Sequence, residues 1–579
     1  MEQVRSVVSD GIAVDWDVPI PIDDGLVLRA DVFRPVEDGE YPVIMAMGPY
    51  AKGLSFQEGF KGNWDRMIAA YPEVAEGTTN TYQNWELVDP EKWVPDGYVC
   101  LRVDSRGAGR TPGYLDVWSP RETRDFYECI EWAAAQPWSN GRIGLLGISY
   151  YAMNQWHIAS LRPPHLSAIC VWEGAADHYR DLCRHGGILC DFLGAWYARQ
   201  VVRVQHGVGD RGFRNPVTGD TVAGPETIAE DVLVSNRAEP GRDVLARPLD
   251  GEYYRQRSPN YERISVPLLS AGNWGGQGLH PRGNLEGYLA SASEQKWLEM
   301  HGDSHFSPFY SDRGVALQKR FFGHFLRDEE TGWQDQPPVE LQVRHPGEKF
   351  VTRAEREWPL ARTRWTRFYL DPGEHGLGEQ AATGDDVSYD TTGEGVTFRT
   401  PPLTEQLEIT GPVAAKLFVS SDTADADVFL VLQVFDPEGE EVTFVGSNDP
   451  RTPVGLGWLR ASQRKLDESR NTPGRPYHPH DESWPLEPGV PVELDVEIWP
   501  TCLVVPVGYT LALNVRGRDY ENDGTVVPGA MYPLKGIGPF THTNPDDRPA
   551  EVFGGTNTLH FAAGKEPYLL LPVIPPAEA

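Results

Sequence analysis

The chain has 579 residues, 40% hydrophobic and 11% aromatic, the composition of a soluble globular protein too long for one core. Its formal charge of −32 comes from 84 acidic against 52 basic residues spread along the chain, which argues against nucleic acid or an anionic membrane as partner. The first 25 residues lack the basic start and apolar block of a secretory signal, and no stretch approaches the ~20 apolar residues of a membrane span. Six cysteines without C-x-x-C spacing (Cys100, Cys129, Cys170, Cys183, Cys190, Cys502) read as reduced thiols of a cytoplasmic protein rather than a disulfide framework or structural zinc.

In chain order, strands are expected at Ile20–Asp23, Leu26–Pro35 and Tyr41–Met47, followed by an irregular aromatic stretch from Phe56 to Pro90. A buried strand at Tyr98–Val103 precedes a glycine-rich turn and an amphipathic helix at Glu122–Ala135. Ile143–Leu146 is another buried strand. Gly147-Ile148-Ser149 breaks it, and Tyr150–Leu161 has helical character. Strand, sharp turn with a serine at its apex, then helix is the setting of a nucleophile elbow, although Tyr151 stands where G-x-S-x-G has its second glycine. A helix-capping serine is the plainer alternative.

Leu166–Trp172 is the next strand, and it ends in Glu173-Gly174-Ala175-Ala176-Asp177. A long segment of different character follows, helical at Asp177–Arg203 and loop-like to Arg257. The sheet pattern then resumes with strands at Val266–Ala271 and Gln295–Met300 and helices at Arg282–Ser291 and Leu317–Leu326. Beyond about Pro337 short strands alternate with Gly/Pro turns, as at Val428–Phe435, Val492–Ile498 and Leu511–Val515. The expected architecture is an α/β sheet (1–177 and 258–336), a helical cap inserted at 178–257, and an all-β jelly roll at 337–579.

An elbow serine needs a base, an acid and oxyanion donors. Among fifteen histidines, His305 lies just after the last α/β strand, where the order serine, acid, histidine places the base. His301 is nearer the strand and reads as structural. His178 and His185 fall in the cap, and His478 and His480 in a proline-rich loop without a clear third metal ligand.

The segments PVIMAMGPYAK, DSRGAGRTPG, QPWSNGRIGLLGISYYA, SVPLLSAGNW, GDSHFSP, PLTEQLEITGPVAAKLFVSSD, GWLRASQR and LDVEIWPT resemble the cocaine esterase, α-amino acid ester hydrolase and X-prolyl dipeptidyl peptidase family of serine hydrolases over nearly the whole chain. The resemblance implies an α/β-hydrolase domain, a helical cap and a C-terminal jelly roll. It implies Ser149 as nucleophile, His305 as base, and Tyr50 with the backbone N–H of Tyr150 as oxyanion donors. The chain departs from the family at its acid, an aspartate in the loop after the VPLL-type strand, because that loop here reads GNWGGQG and has Gly275 at the position. Glu173 is the favoured substitute, since its strand end lies beside the nucleophile strand and some haloalkane dehalogenases resemble this placement. Asp177 and Asp303 are the alternatives.

The expected activity is hydrolysis of an ester or amide of a small acyl substrate through an acyl-enzyme on Ser149. An X-prolyl dipeptidyl peptidase is the enzymatic rival, and a catalytically dead binding protein, the aspartate having been lost at Gly275, is the rival of another class. Phe192, Trp196, Tyr197 and Trp274 are candidates to line the substrate pocket. No metal or organic cofactor is expected, and neither is a nucleic-acid or membrane partner; a homodimer is compatible with the sequence.

Overall fold

The computed structural model describes residues 5–522 and 530–576. The first part is built on eleven strands: β1 (Arg5–Ser9), β2 (Ile12–Pro21), β3 (Val27–Pro35), β4 (Tyr41–Gly48), β5 (Val99–Asp104), β6 (Ser139–Ile148), β7 (Leu166–Trp172), β8 (Leu268–Asn273), β9 (Lys296–His301), β10 (Val339–His345) and β11 (Lys349–Glu355). They lie in the order β1-β2-β3-β5-β4-β6-β7-β8-β9-β10-β11. The run from β5 to β10 is parallel, with antiparallel strands at either end. Parallel strands point their carboxyl ends to one edge of a sheet, where α/β proteins place their sites. Ser149, Glu173 and the loops after Asn273 and His301 all leave the sheet there.

Helices cover both faces of this sheet, which is why β6 is apolar on both sides. On one face α2 (Pro120–Ala134) and α3 (Tyr150–Leu161) pack Phe126, Ile130 and Trp156 against Ile143 and Leu145. On the other, α5 (Asp312–Arg327) packs Phe322 and Leu326 against Ile44, Leu146 and Ile148. Gly144 permits that approach, since a Cβ there would lie 2.6 Å from the Phe322 ring. The start of α2 is fixed by Ser119, whose hydroxyl accepts the Glu122 N–H at 3.2 Å, and by Pro120 in the first turn, two residues before the expected start. Two smaller helices matter for the site: α1 (Lys61–Ala70), in the stretch read as irregular, and α4 (Pro281–Ala290).

The N-terminal hairpin β1–β2 extends the sheet well before the strand expected at Ile20–Asp23. A register break between Asp15 and Val18, with Asp17 at φ 58°, interrupts the alternation and hides that strand from a period-2 reading. The segment expected to be helical, Asp177–Arg203, is helical in two pieces, His178–Cys183 and a run from Phe192 to Val204, rather than as one continuous helix. Gly186 and Gly187, at φ 53° and 91°, break it. A Cβ on Gly186 would lie 2.0 Å from the Trp458 carbonyl oxygen, so close packing against the C-terminal part excludes a continuous helix.

The C-terminal part is an antiparallel β structure. Its main strands are β12 (Arg364–Asp371), β13 (Leu407–Ser421), β14 (Asp427–Phe435), β15 (Gly455–Arg460), β16 (Val492–Val505), β17 (Thr510–Arg516) and β18 (Tyr568–Ile574). They pair in the order β12-β18-β13-β16-β15-β14-β17. Leu417, Leu430, Leu494 and Leu513 lie in its core. From Val428 to Leu432 β14 is apolar on both faces, because Val428, Leu430 and Leu432 face that core while Phe429 and Val431 pack with Ile188 of the insertion. β16 alternates up to Ile498 as expected and then continues to Val505 with both faces buried. There Leu503 and Val505 face the β core, while Cys502 and Val504 pack against Trp274, Met300 and Leu341 of the first part. β10 begins past residue 337 yet extends the parallel sheet beside β9, so the sheet runs beyond the expected boundary. All six cysteines are free and buried, and among the described residues no helix is long and apolar enough to cross a membrane.

Candidate active site

Ser149 sits between β6 and α3 at φ 57° and ψ −111°, a region that a non-glycine residue occupies only under constraint. The Ser149 N–H donates to Trp172 O at 3.1 Å, and the Ser149 carbonyl accepts from Ala152 N and Met153 N at 2.9 and 2.7 Å. Gly147 is required, because a Cβ there would lie 2.5 Å from Tyr151 Cβ. Tyr151, at the position of the missing second glycine, is accommodated by Gly48, whose hypothetical Cβ would meet the Tyr151 ring at 2.5 Å. The incomplete motif therefore still makes the sharp turn.

Tyr50 follows β4 and is 4% exposed. Its hydroxyl accepts the Trp196 indole N–H at 2.9 Å, which leaves the phenolic proton available to another acceptor. Burial and the nearby Glu86 carboxylate hold the phenol well above its ordinary pKa, so it stays a neutral donor. The Tyr150 N–H opens α3, where first-turn amides have no acceptor within the helix. The Tyr150 ring stacks on Trp118 and Trp196, and its hydroxyl donates to Glu122 at 2.6 Å, which anchors the amide.

His305 Nδ1 lies 2.7 Å from Glu173 Oε2, with both side chains almost fully buried. Glu173 is held by more than His305. Its other oxygen, Oε1, lies 3.3 Å from Asn273 Nδ2 and 3.4 Å from His301 Nε2, while the Ser447 hydroxyl donates to Oε2 at 2.8 Å. Ser447 belongs to the β14–β15 connection, and its carbonyl also accepts the His305 N–H at 3.0 Å. The same connection accounts for Gly275: a Cβ there would lie 2.4 Å from Gly446 Cα. The alternatives to Glu173 are engaged elsewhere. Asp177 accepts from Tyr179 N and Arg180 N and pairs with Arg180, and Asp303 accepts from Tyr71 and from its neighbour Ser304 N. His301 is paired with Glu299 at 2.6 Å.

The residue missed in the sequence is Glu86. It lies in the stretch read as irregular, and its carboxylate meets His305 Nε2 at 3.1 Å. An acidic residue embedded in Trp85-Glu86-Leu87-Val88 was the available signal. Ser447, on a polar loop far along the chain, carried none.

These contacts set the site's electrostatics. Burial alone would raise the Glu173 carboxyl, but the charge and hydrogen bonds of His305 and His301 outweigh it and hold the group well below the usual carboxylate range. Burial opposes the charge on His305, yet Glu173 and Glu86 raise it to about 10. His301 rises to about 9 against burial, chiefly through Glu299 and Glu173. Burial pushes Glu86 up to about 7 despite its contact with His305. His280 stacks on His305 at 5.2 Å and is pulled down to about 3 by burial and the neighbouring His305 charge, so it stays neutral.

Of the four expected pocket residues, Trp196 touches the site through Tyr50. Phe192 packs between Trp196 and Phe540. Tyr197 lines a cavity of about 390 Å³ whose walls include neither Ser149 nor His305. Trp274 is fully buried, donates to Gln342 O at 3.0 Å and packs on Trp358, so the structure makes it a core residue at the junction with the β domain rather than a pocket wall. A cavity of about 410 Å³ lies beside the site between α1, the Asp303–Ser307 turn and the Val445–Pro450 loop, with Met67, Phe306 and Ser447 in its walls.

Two groups among the described residues bring metal-ligand atoms together: Glu173, His280 and His305, and His185, Cys190 and His542. In the first, Glu173 and His305 satisfy each other. In the second, His185 Nδ1 and His542 Nε2 are 2.8 Å apart, and His542 Nδ1 lies 2.8 Å from Asp519, as in a hydrogen-bonded chain.

Comparison with known proteins accords with this geometry. The family model for X-Pro dipeptidyl-peptidase (S15 family) matches residues 24–307, and that for the X-Pro dipeptidyl-peptidase C-terminal non-catalytic domain matches residues 331–570. A crystal structure of a CocE/NonD family hydrolase from Staphylococcus aureus superposes with a TM-score of 0.84 at 30% identity, covering 99% of this chain and 97% of that one. The cocaine esterase of Rhodococcus sp. (strain MB1 Bresler) is 24% identical over 507 residues, 75% of this chain and 83% of the esterase. An α-amino acid ester hydrolase structure shares the fold with a TM-score of 0.67 at 15% identity, covering 98% of each chain. The chain belongs to the family of α/β-hydrolases that includes cocaine esterase, X-prolyl dipeptidyl peptidase and the CocE/NonD hydrolases, and it is a hydrolase of the serine type.

Proposed function

We propose that the protein cleaves an ester or amide of a small acyl substrate through an acyl-enzyme on Ser149, with His305 as general base and Glu173 as the acid that orients it. The observation that carries this reading is the 2.7 Å contact of Glu173 with His305 Nδ1, at the carboxyl edge of the sheet that also carries the Ser149 elbow. His305 Nε2 takes the Ser149 proton as Oγ attacks the carbonyl carbon, then returns it to the leaving group. The oxyanion is met by the Tyr50 hydroxyl and the Tyr150 N–H. Water, deprotonated by His305, then releases the acid and restores the serine. The remaining partners of Glu173, namely Asn273, His301 and Ser447, fix its carboxylate plane and with it the plane of the imidazole.

The insertion between β7 and β8 serves in this reading as a cap, bringing Trp196 onto Tyr50. The C-terminal strands suit a jelly roll, and six free buried thiols suit a cytoplasmic protein. The family match favours one second reading, cleavage of Xaa-Pro peptides. A turnover panel of p-nitrophenyl esters, anilides and Xaa-Pro-anilides, run beside Ser149→Ala, separates the two. Stoichiometric fluorophosphonate labelling of Ser149 is expected. Absence of labelling together with absence of turnover would leave a binding protein.

A further inference from the structure

The nitrogen that must receive the serine proton is already occupied. His305 Nε2 faces Glu86 Oε1 at 3.1 Å, while Ser149 Oγ makes no hydrogen bond among the described residues. Glu86 is built into this place. Its backbone sits at φ 61°, which a glutamate adopts only where its surroundings impose it. Its carbonyl accepts the N–H of Ile148, the residue before the nucleophile, at 3.0 Å. The side chain is 3% exposed, its second oxygen, Oε2, is buried, and the neighbouring Trp85 indole helps hold the carboxylate. The titratable groups around it are His305, Glu173 and the phenols of Tyr50, Tyr151 and Tyr310. His305 in turn faces both carboxylates and the stacked His280 ring, and His301 shares Glu173 with it.

We propose that Glu86 is a positioning residue for the catalytic base: it competes with Ser149 for His305 Nε2 and sets how firmly the resting imidazole keeps its second proton. The inference rests on the Ser149–His305 reading above. An imidazole bracketed by two buried carboxylates is held as imidazolium, and a protonated Nε2 cannot accept from serine. The base becomes competent when that proton leaves Nε2, its bonding pair staying behind as the nitrogen lone pair. The proton passes to water, and Nε2 is then free to accept from Ser149. Two carboxylates and one imidazole therefore titrate as a unit. Activity should fall as pH drops through the value at which the unit takes up its inhibitory proton. Removing the Glu86 charge loosens that proton, so the fall should move to lower pH.

The test is the pH profile of kcat/KM on a p-nitrophenyl ester for the wild type and Glu86→Gln. The variant is expected to shift the acidic limb down by about one pH unit or more. A limb that stays in place, whatever the change in kcat, overturns the proposal and leaves Glu86 a shape-filling role. If Glu86→Gln does not fold, histidine NMR on Ser149→Ala reads the same property: a ring that titrates above about pH 8 and is assigned to His305 supports the proposal, and a His305 titration near its ordinary value overturns it. The underlying reading fails separately. Turnover retained by Ser149→Ala would remove the acyl-enzyme, whereas an inactive Ser149→Ala beside an unmoved Glu86→Gln limb would remove only the role given to Glu86.

Discussion

The hydroxyl of Ser447 donates to the carboxylate of Glu173 at 2.8 Å, across 274 residues of sequence, and so ties the β domain directly to the acid that faces His305. The backbone of the same residue accepts the His305 N–H. The C-terminal part is thus a component of the site's polar shell as well as a packing partner. Ser447→Ala should lower kcat about tenfold, the scale of one lost hydrogen bond to a charged group, while leaving the melting temperature near that of the wild type. Steady-state kinetics beside thermal melts check this; unchanged kcat would reduce Ser447 to a spectator.

Glu173→Gln keeps the shape of the acid but removes the charge that stabilises an imidazolium, and it presents an amide where His305 Nδ1–H needs an acceptor. Turnover should drop by roughly 10³- to 10⁴-fold with little change in fold. Near-normal turnover would rule Glu173 out as the acid.

Gly275→Asp puts an aspartate in the loop after β8, but its Cβ would lie 2.4 Å from Gly446 Cα. The loop that carries Ser447 would have to move. The substitution should therefore destabilise the protein, by about 2 kcal/mol or more, and should not rescue Glu173→Gln in the double variant. Rescue would show that the two acid positions are interchangeable in this chain.

Tyr50→Phe removes the proposed oxyanion donor without changing the ring's packing against Phe60, Tyr150, Tyr151 and Trp196. A loss of roughly 10²- to 10³-fold in kcat with a nearly unchanged KM is expected. A change confined to KM would instead assign Tyr50 to substrate binding.

Stability should also respond to alkaline pH. His305 and His301 are raised in the folded chain to about 10 and about 9 from an ordinary value of 6.5, after burial has been outweighed by their carboxylate partners. A raised pKa contributes stability that is complete below the unfolded value and is lost as pH rises through the folded one. The melting temperature should therefore fall between pH 7 and 10, and fall less in Glu173→Gln, where one shared carboxylate charge is gone. Parallel slopes in the two proteins would contradict this.

Much of this protein follows from local sequence alone. A buried apolar run, a serine two residues after a glycine and a helix specify the elbow at Ser149 because each is a short-range backbone property. The continuous apolar runs of β6 and β7 and the alternation of β16 are legible for the same reason. His305 was accessible because it directly follows a strand end, and Glu173 because adjacent parallel strands bring their carboxyl ends together. The helical character of Asp177–Arg203 is legible in its composition, but its interruption is not, since Gly186 answers to a contact with Trp458 that no local pattern records. Trp274 reads as a pocket aromatic until β16 is seen to bury it. Glu86 and Ser447 lay beyond local reading altogether. Each reaches the site through its loop's path across the sheet edge, and the pairing of one imidazole with two carboxylates is a property of distances that only the folded chain sets.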